Sequence, residues 1–373
     1  MARAVARIDL AAVRRNCERL RLELGEGSEL CAVVKADGYG HGAEACAEAA
    51  LAGGATRLAV ATGAEAARIG RRFPQVPLLT MGALTPEDLE DALAAGSEVA
   101  VWRAGFRDFL SARGRAQGRP VRVHVKYDSG MGRLGDPDPE EVLALARACV
   151  ADPQIDLAGV WTHFATADEP ESDFFDVQLE RFATVAAALK DEFPDVTAHA
   201  ANSAAVFRDR RSHFDMARCG IAVYGLDPFQ GDPVERGLEP ALSLHSYVAD
   251  VKRFAAGDSA GYGRTWRAPA DTWVGVLPLG YGDGVRRGLS NNAEVLIRGR
   301  RHPLVGTVSM DNVTVDLGPD SAIWVFFRKG SKDAGLDMNR DTVWAVAEKL
   351  DLRPLGIVGV NETWSAFRLR RAA

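Results

Sequence analysis

At 373 residues, the chain has room for two domains or for one large barrel with an addition. Its 47% hydrophobic content supplies sizeable cores, and a formal net charge of −6 argues against nucleic acid or an anionic membrane as a partner. Five cysteines, Cys17, Cys31, Cys46, Cys149 and Cys219, are scattered without a CxxC pair, so neither a disulfide framework nor a metal site is indicated; reduced thiols in a cytoplasmic protein fit best.

The first residues, Val5–Leu10, read as a strand able to pair into a later β domain. No basic-then-apolar signal pattern is present, and no apolar run is long enough to span a bilayer. From residue 29 to about 225, short apolar runs alternate with helix-like stretches. The spacing predicts strands over Leu30–Lys35, Arg57–Ala61, Pro77–Met81, Glu98–Trp102, Val121–Lys126, Leu157–His163, Val196–Asn202 and Phe214–Arg218. The clearest helices between them are Glu44–Leu51, Pro86–Ala95, Pro139–Cys149 and Phe174–Lys190; Thr85-Pro86-Glu87-Asp88 is a strong helix start. Strands alternating with helices imply a parallel sheet, and eight such units are the count of a closed (β/α)8 barrel. A doubly wound sheet fits the same pattern. Beyond Pro233 the runs become strands with turn punctuation: Ala241–Phe254, Trp273–Leu277, Glu294–Ile297, Leu304–Ser309, Val313–Leu317 and Ile323–Phe327. The fold class expected is therefore α/β, an N-terminal barrel over residues 11–232, with a mostly antiparallel β domain built from 1–10 and 233–373.

Barrel enzymes place reactive groups at the carboxyl ends of strands. Five of the eight candidate strands here end in polar residues: Lys35, Lys126, His163, Asn202-Ser203 and Arg218. The apolar run Cys31–Val34 delivers Lys35 to a turn of Gly38, Tyr39, Gly40, His41 and Gly42. A partly desolvated lysine is a nucleophile for a carbonyl, as Schiff-base chemistry requires, and the glycines allow close approach of a phosphate. The spacing matches neither of the two common nucleotide loops. Each group also has an ordinary structural role open to it. His163 fits a satisfied core histidine, Arg218 a partner of Asp215, Asn202-Ser203 a helix cap, and Lys126 a partner of Asp128. The joint occurrence favours a shared site.

The ordered segments AVVKADGYGHGA, VKYDSGMGRLG, THFATAD, HAANSAA, ARCGIAVYGLDP, GYGRTW, LPLGYGDG and VGTVSMDN resemble the alanine racemases, over residues 5–318. The resemblance implies a pyridoxal 5'-phosphate enzyme interconverting L- and D-alanine, a small amino-acid substrate, and a head-to-tail homodimer whose sites use both chains. D-alanine supply for peptidoglycan is the implied role. Lys35 would hold the cofactor and act as base on the D face; Tyr262 of the partner subunit would be the base on the L face. His163 and Arg218 would be local positive partners, with Arg218 at the pyridine nitrogen. Arg133 would bond the cofactor's phenolic oxygen and the substrate carboxylate, and Met310 would offer it a backbone N–H. Lys126 matches a lysine carbamylated in many members. Tyr39, Asn202, Ser203, Gly220 and Ile221 would hold the cofactor, its phosphate resting on Tyr39, Ser203 and the Gly220 and Ile221 amides. Tyr281 and Asp311 would line the entrance.

Residues 319–373 depart from the family pattern. The tyrosine expected near the end to touch the phosphate is missing, and its position falls near Leu355. The basic ending with Arg368, Arg370 and Arg371 looks unlike a finished β-domain edge. A divergent tail, a compensating residue and a change of reading frame all fit. Ser309 stands where cysteine is frequent. The alternatives to alanine are a serine or broader racemase, a barrel decarboxylase of basic amino acids, and a non-catalytic cofactor carrier. Arg218 at the pyridine nitrogen, where such decarboxylases carry an acid, and Tyr262 as second base favour racemisation.

Overall fold

The computed structural model describes residues 2–319, 323–329, 340–350, 352–360 and 362–371. Eight parallel strands form one sheet: Glu29–Val33, Arg57–Val60, Leu78–Thr80, Glu98–Val101, Val121–Lys126, Ile155–Trp161, Thr197–His199 and Met216–Cys219. The first seven pair in sequence order, and the eighth pairs with the first. Bonds from Asp215 N to Ala198 O (3.0 Å) and Arg218 N to Ala201 O (2.9 Å) tie the seventh strand's edge to the eighth and close the ring. Several strands are buried along their full length, as a sheet covered on both faces demands.

The helices sit where apolar periodicity and caps place them. Ala43–Ala52, Pro86–Ala94, Pro139–Val150 and Phe174–Glu192 match the expected set, and Thr85 caps Pro86–Ala94 by accepting from Asp88 N. The expected strand Val5–Leu10 stops at Ile8, because Asp9 accepts from the amides of Ala11 and Ala12 and starts the helix Leu10–Glu23.

Three barrel strands end two or more residues earlier than expected. The first ends at Val33 rather than Lys35, the sixth at Trp161 rather than His163, and the seventh at His199 rather than Asn202. In each case the polar residues that follow have left the ladder for a turn or cap at the barrel mouth. Between the fifth and sixth strands the register shifts at Val123/His124, so that His124 pairs with Gly159 and Ala158 is skipped. Such a bulge re-aims the side chains beside it.

The chain divides into two compact units, Arg7–Ser243 and Met1–Ala6 with Leu244–Ala373. The second holds a five-stranded antiparallel sheet in the order Asp250–Phe254, Thr272–Leu277, Val313–Gly318, Arg300–Val305 and Glu294–Ile297. The run expected over Leu304–Ser309 is instead Arg300–Val305. Arg298 and Gly299, both left-handed at φ 54° and 76°, make the two-residue turn that starts this strand four residues early. The tail corrects a second expectation. Ile323–Arg328, Trp364–Arg371 and Leu352–Gly359 form an antiparallel sheet, accompanied by the helix Arg340–Lys349. Val343, Ala347, Phe367 and Leu369 pack with Trp273 and Phe327 in one core, so the basic ending is a paired strand. Leu355 lies in the strand Leu352–Gly359, but its side chain is outside the described residues.

Candidate active site

Lys35 opens a left-handed turn. Ala36, Asp37, Gly38 and Tyr39 have φ of 50°, 52°, 64° and 54°. Three of these four are not glycine, and left-handed backbone costs an ordinary residue about 1 kcal/mol or more. Surrounding bonds hold the turn against that cost. Glu65 Oε1 accepts from Ala36 N at 2.6 Å, while its Oε2 accepts from Ala61 N at 2.8 Å. Asp37 Oδ1 accepts from Ala43 N and from Arg68 at 2.7 Å. Gly38 is the tightest point, since a Cβ there would lie 3.2 Å from the Ala43 backbone. The turn carries Lys35 half-buried into a cavity of about 450 Å³.

The structure brings Lys35, Tyr39, Lys126, Arg133, His163, Asn202, Ser203, Arg218, Gly220 and Ile221 together on the walls of that cavity. Burial, then the charges of Arg133 and Arg218, lower the Lys35 ammonium below its usual range, with Glu65 opposing. Arg133 follows a loop organised by Asp128, whose carboxylate accepts from the amides of Gly130, Met131, Gly132 and Arg133. Arg218 does not pair with Asp215, which binds Lys190 at 2.6 Å. Instead its guanidinium donates to Thr162 O at 2.8 Å, Ala200 O at 3.2 Å and His199 Nδ1 at 2.7 Å. Burial pulls it down to about 10, so it stays charged at neutral pH.

His163 Nδ1 lies 3.4 Å from Arg218. Burial and the charges of Arg218, Lys126, Arg133 and Lys35 hold this imidazole well below its usual range. The expected positive partner is therefore a neutral ring, and the positive charge around it comes from the arginines. Asn202 serves as a helix cap, its Oδ1 accepting from Ala205 N at 2.9 Å. Ser203 Oγ accepts from Gly220 N (3.0 Å) and Ala222 N (3.3 Å). A Cβ on Gly220 would meet Tyr39 Oη at 2.4 Å, so only glycine leaves this corner open.

Lys126 Nζ sits 3.7 Å from the centroid of the Trp161 ring. Burial, then Arg218 and Arg133, bring it down to about 7 against the opposing charge of Asp128. Between about pH 7 and the ordinary lysine range, the unfolded chain keeps this proton and the folded chain does not. Stability therefore rises with pH across that window, and below it the cost of the lowered pKa is fully present. Lys126→Met is expected to be the more stable protein at pH 7 in carbonate-free buffer, by on the order of 1–3 kcal/mol, with a flatter rise toward alkaline pH. Urea denaturation at neutral and alkaline pH measures this; equal slopes for the two proteins would contradict it.

Tyr262, Tyr281, Met310 and Asp311 belong to the other unit. Tyr262 begins a 3-10 turn, 71% exposed, with its carbonyl accepting from Thr307 Oγ1 at 2.7 Å. Tyr281 and Met310 are neighbours: Tyr281 N donates to Ser309 O at 2.9 Å and Gly282 N to Met310 O at 2.8 Å. Tyr281, Met310 and Asp311 are all exposed.

Several residues of this site were not anticipated. Glu65 was detectable as the fourth residue of a Thr62-x-x-Glu65 capping box. Glu98, His124 and His199 are buried polar residues inside apolar strand patterns, which was their only signal. Among the described residues, no helix is long and apolar enough to cross a membrane.

Two family profiles match the chain: alanine racemase, N-terminal domain, over residues 8–228, and alanine racemase, C-terminal domain, over residues 241–341. The alanine racemase of Desulforamulus reducens is 40% identical over 317 residues, covering 84% of this chain and 85% of the relative. The crystal structure of alanine racemase from D-cycloserine-producing Streptomyces lavendulae superposes with a TM-score of 0.79 at 36% identity, covering 85% of this chain and 84% of that one. That of Bartonella henselae with covalently bound pyridoxal phosphate gives 0.74 at 26% identity, covering 85% and 87%.

Proposed function

Since the chain belongs to the alanine racemase family, we propose that it interconverts L- and D-alanine with pyridoxal 5'-phosphate, as a cytoplasmic enzyme supplying D-alanine for peptidoglycan. The observation that carries the reading is the half-buried Lys35 amine, held on a strained turn in one cavity with the Arg218 guanidinium and the Ser203–Gly220 corner.

The residues present fit the cofactor. Tyr39, Ser203 and the backbone at Gly220 and Ile221 make a corner that a Cβ would fill, suited to a phosphate. Lys35 supplies a partly desolvated amine for covalent attachment. When bound, pyridoxal phosphate supplies the electron sink that makes the substrate Cα–H acidic. Arg218, with donors only, keeps a proton off the ring nitrogen and so disfavours reactions that need a long-lived carbanion. Arg133 holds the substrate carboxylate, joined by the Met310 N–H. Lys126, brought down to about 7, has a neutral-amine fraction at physiological pH that can accept carbon dioxide and release a proton, and its carbamate would orient Arg133. Lys35 moves the Cα proton on the D face, and Tyr262 of the partner subunit moves it on the L face in a head-to-tail homodimer. Tyr281 and Asp311 line the way in.

In heavy water with each alanine enantiomer, optical inversion and Cα deuteration are expected together from both. Exchange without inversion would mean that only one base works. Gly220→Ala is expected to weaken pyridoxal phosphate binding roughly tenfold or more, because the methyl displaces the Tyr39 phenol. An absorbance titration of the apoprotein reads this, and an unchanged affinity would remove Gly220 from the phosphate corner.

A further inference from the structure

A file of buried polar side chains crosses the barrel interior. At the mouth, Arg218 donates to His199 Nδ1 at 2.7 Å. His199 Nε2 lies 2.8 Å from His124 Nδ1, and His124 Nε2 lies 2.7 Å from Glu98 Oε2. Glu98 starts the fourth strand at the opposite end of the barrel, where Arg57 binds it at 3.0 Å and Arg122 at 2.6 Å. His124, His199 and Glu98 are each at most 2% exposed.

The two ends fix the direction of every bond between them. A guanidinium only donates and an ionised carboxylate only accepts. His199 must therefore receive at Nδ1 and carry its proton on Nε2. His124 must receive that bond at Nδ1 and carry its own proton on Nε2, toward Glu98. A second proton on either ring would set two N–H groups against each other. The backbone is arranged for this file. The register shift at Val123/His124 aims the ring, and a Cβ on Gly159 would lie 2.2 Å from His124 Nδ1, so Gly159 leaves the passage open. Trp161 stacks on His199 with an interplanar angle of 4°, fixing its plane.

We infer that Glu98 and His124 are positioning residues for Arg218, acting through His199 as a one-way hydrogen-bond relay that keeps His199 a neutral acceptor and pins the guanidinium at the cavity wall. The inference rests on the racemase reading only for what Arg218 touches; the relay itself is independent of activity. Burial opposes ionisation of Glu98, but the bond from His124 and the charges of Arg57 and Arg122 outweigh it and hold the carboxyl at about 2. Burial first, then Arg218, His124, Arg57 and Lys126, hold the His199 imidazole well below its usual range.

The test is imidazole nitrogen NMR on the full chain loaded with pyridoxal phosphate, with resonances assigned through His124→Gln and His199→Gln. Both rings are expected with the proton on Nε2 and Nδ1 as acceptor, the only arrangement the bond directions along the file allow. An Nδ1–H tautomer or an imidazolium at either position overturns the relay, whatever the enzyme's activity. His124→Leu breaks the file, while His124→Gln can accept from His199 and donate to Glu98. Cofactor dissociation is expected to rise about tenfold in His124→Leu and to return close to wild type in His124→Gln. Equal affinities for the Leu variant and wild type would overturn the positioning role. Should His124→Leu fail to fold, the wild-type tautomers still decide.

Discussion

Lys35→Met is expected to lose racemisation in both directions, by at least about 10⁴-fold, the upper range for one proton-transferring group, with the loss of the covalent nucleophile added to it. The turn that bears Lys35 is specific to that position: the amine is half-buried and neighboured by Arg133 and Arg218, and among the described residues no other lysine but Lys126 lines the cavity. Lys126 is stacked on Trp161 and cannot take over the role without leaving it. Two measurements check this. Polarimetry in heavy water should show neither inversion nor deuteration from either enantiomer. Mass spectrometry after borohydride reduction should find the cofactor on the Lys35 peptide of wild type and on no peptide of the variant. Retention of more than about a hundredth of the activity would contradict the assignment.

Tyr262→Phe should be selective rather than uniformly inactivating. Removing the L-face base is expected to lower racemisation roughly 10²- to 10⁴-fold. Exchange of the D-alanine Cα proton, handled by Lys35, should survive, while L-alanine should remain undeuterated. Equal losses for both enantiomers would speak against opposite faces. Because Tyr262 is proposed to act across a dimer, two inactive proteins should rescue each other. Mixing Lys35→Met with Tyr262→Phe and allowing subunits to exchange should restore about a quarter of the wild-type sites, since half the dimers are mixed and each holds one intact site. No recovery, with exchange verified by mass, would place Tyr262 in its own chain's site.

Much of the barrel was legible in the sequence because its strands are continuous apolar runs between helix caps. Val121–Lys126 and the Thr85–Asp88 helix start match residue for residue. Strand ends were less legible: Lys35, His163 and Asn202 follow apolar runs without a break in composition, yet only backbone conformation decides where pairing stops. The convergence of lysines and arginines on one cavity followed from their place at strand ends. The left-handed turn did not, because Ala36 and Asp37 carry no mark of positive φ. Nor did the Glu98–His124–His199 file, whose members are far apart in sequence and meet only once the barrel has closed. The tail misled for a related reason. In Trp364–Arg371, Phe367 and Leu369 are buried while Arg368 between them is exposed, an amphipathic strand that reads as a basic run when its partner strands are out of view.

The turn from Ala36 to Tyr39 also bears on how this protein would respond to selection for heat resistance. Each non-glycine residue there is an unfavourable conformation awaiting relief, and glycine at Ala36 or Asp37 removes it locally. Laboratory evolution scored on melting temperature alone would find such relief attractive. The same changes would loosen the platform that aims the Lys35 amine, so thermal gain at these positions should arrive with slower turnover. Breeding a hardier catalyst from this scaffold is better begun in the helices on the outside of the barrel, where rigidity and reactivity do not draw on the same few bonds.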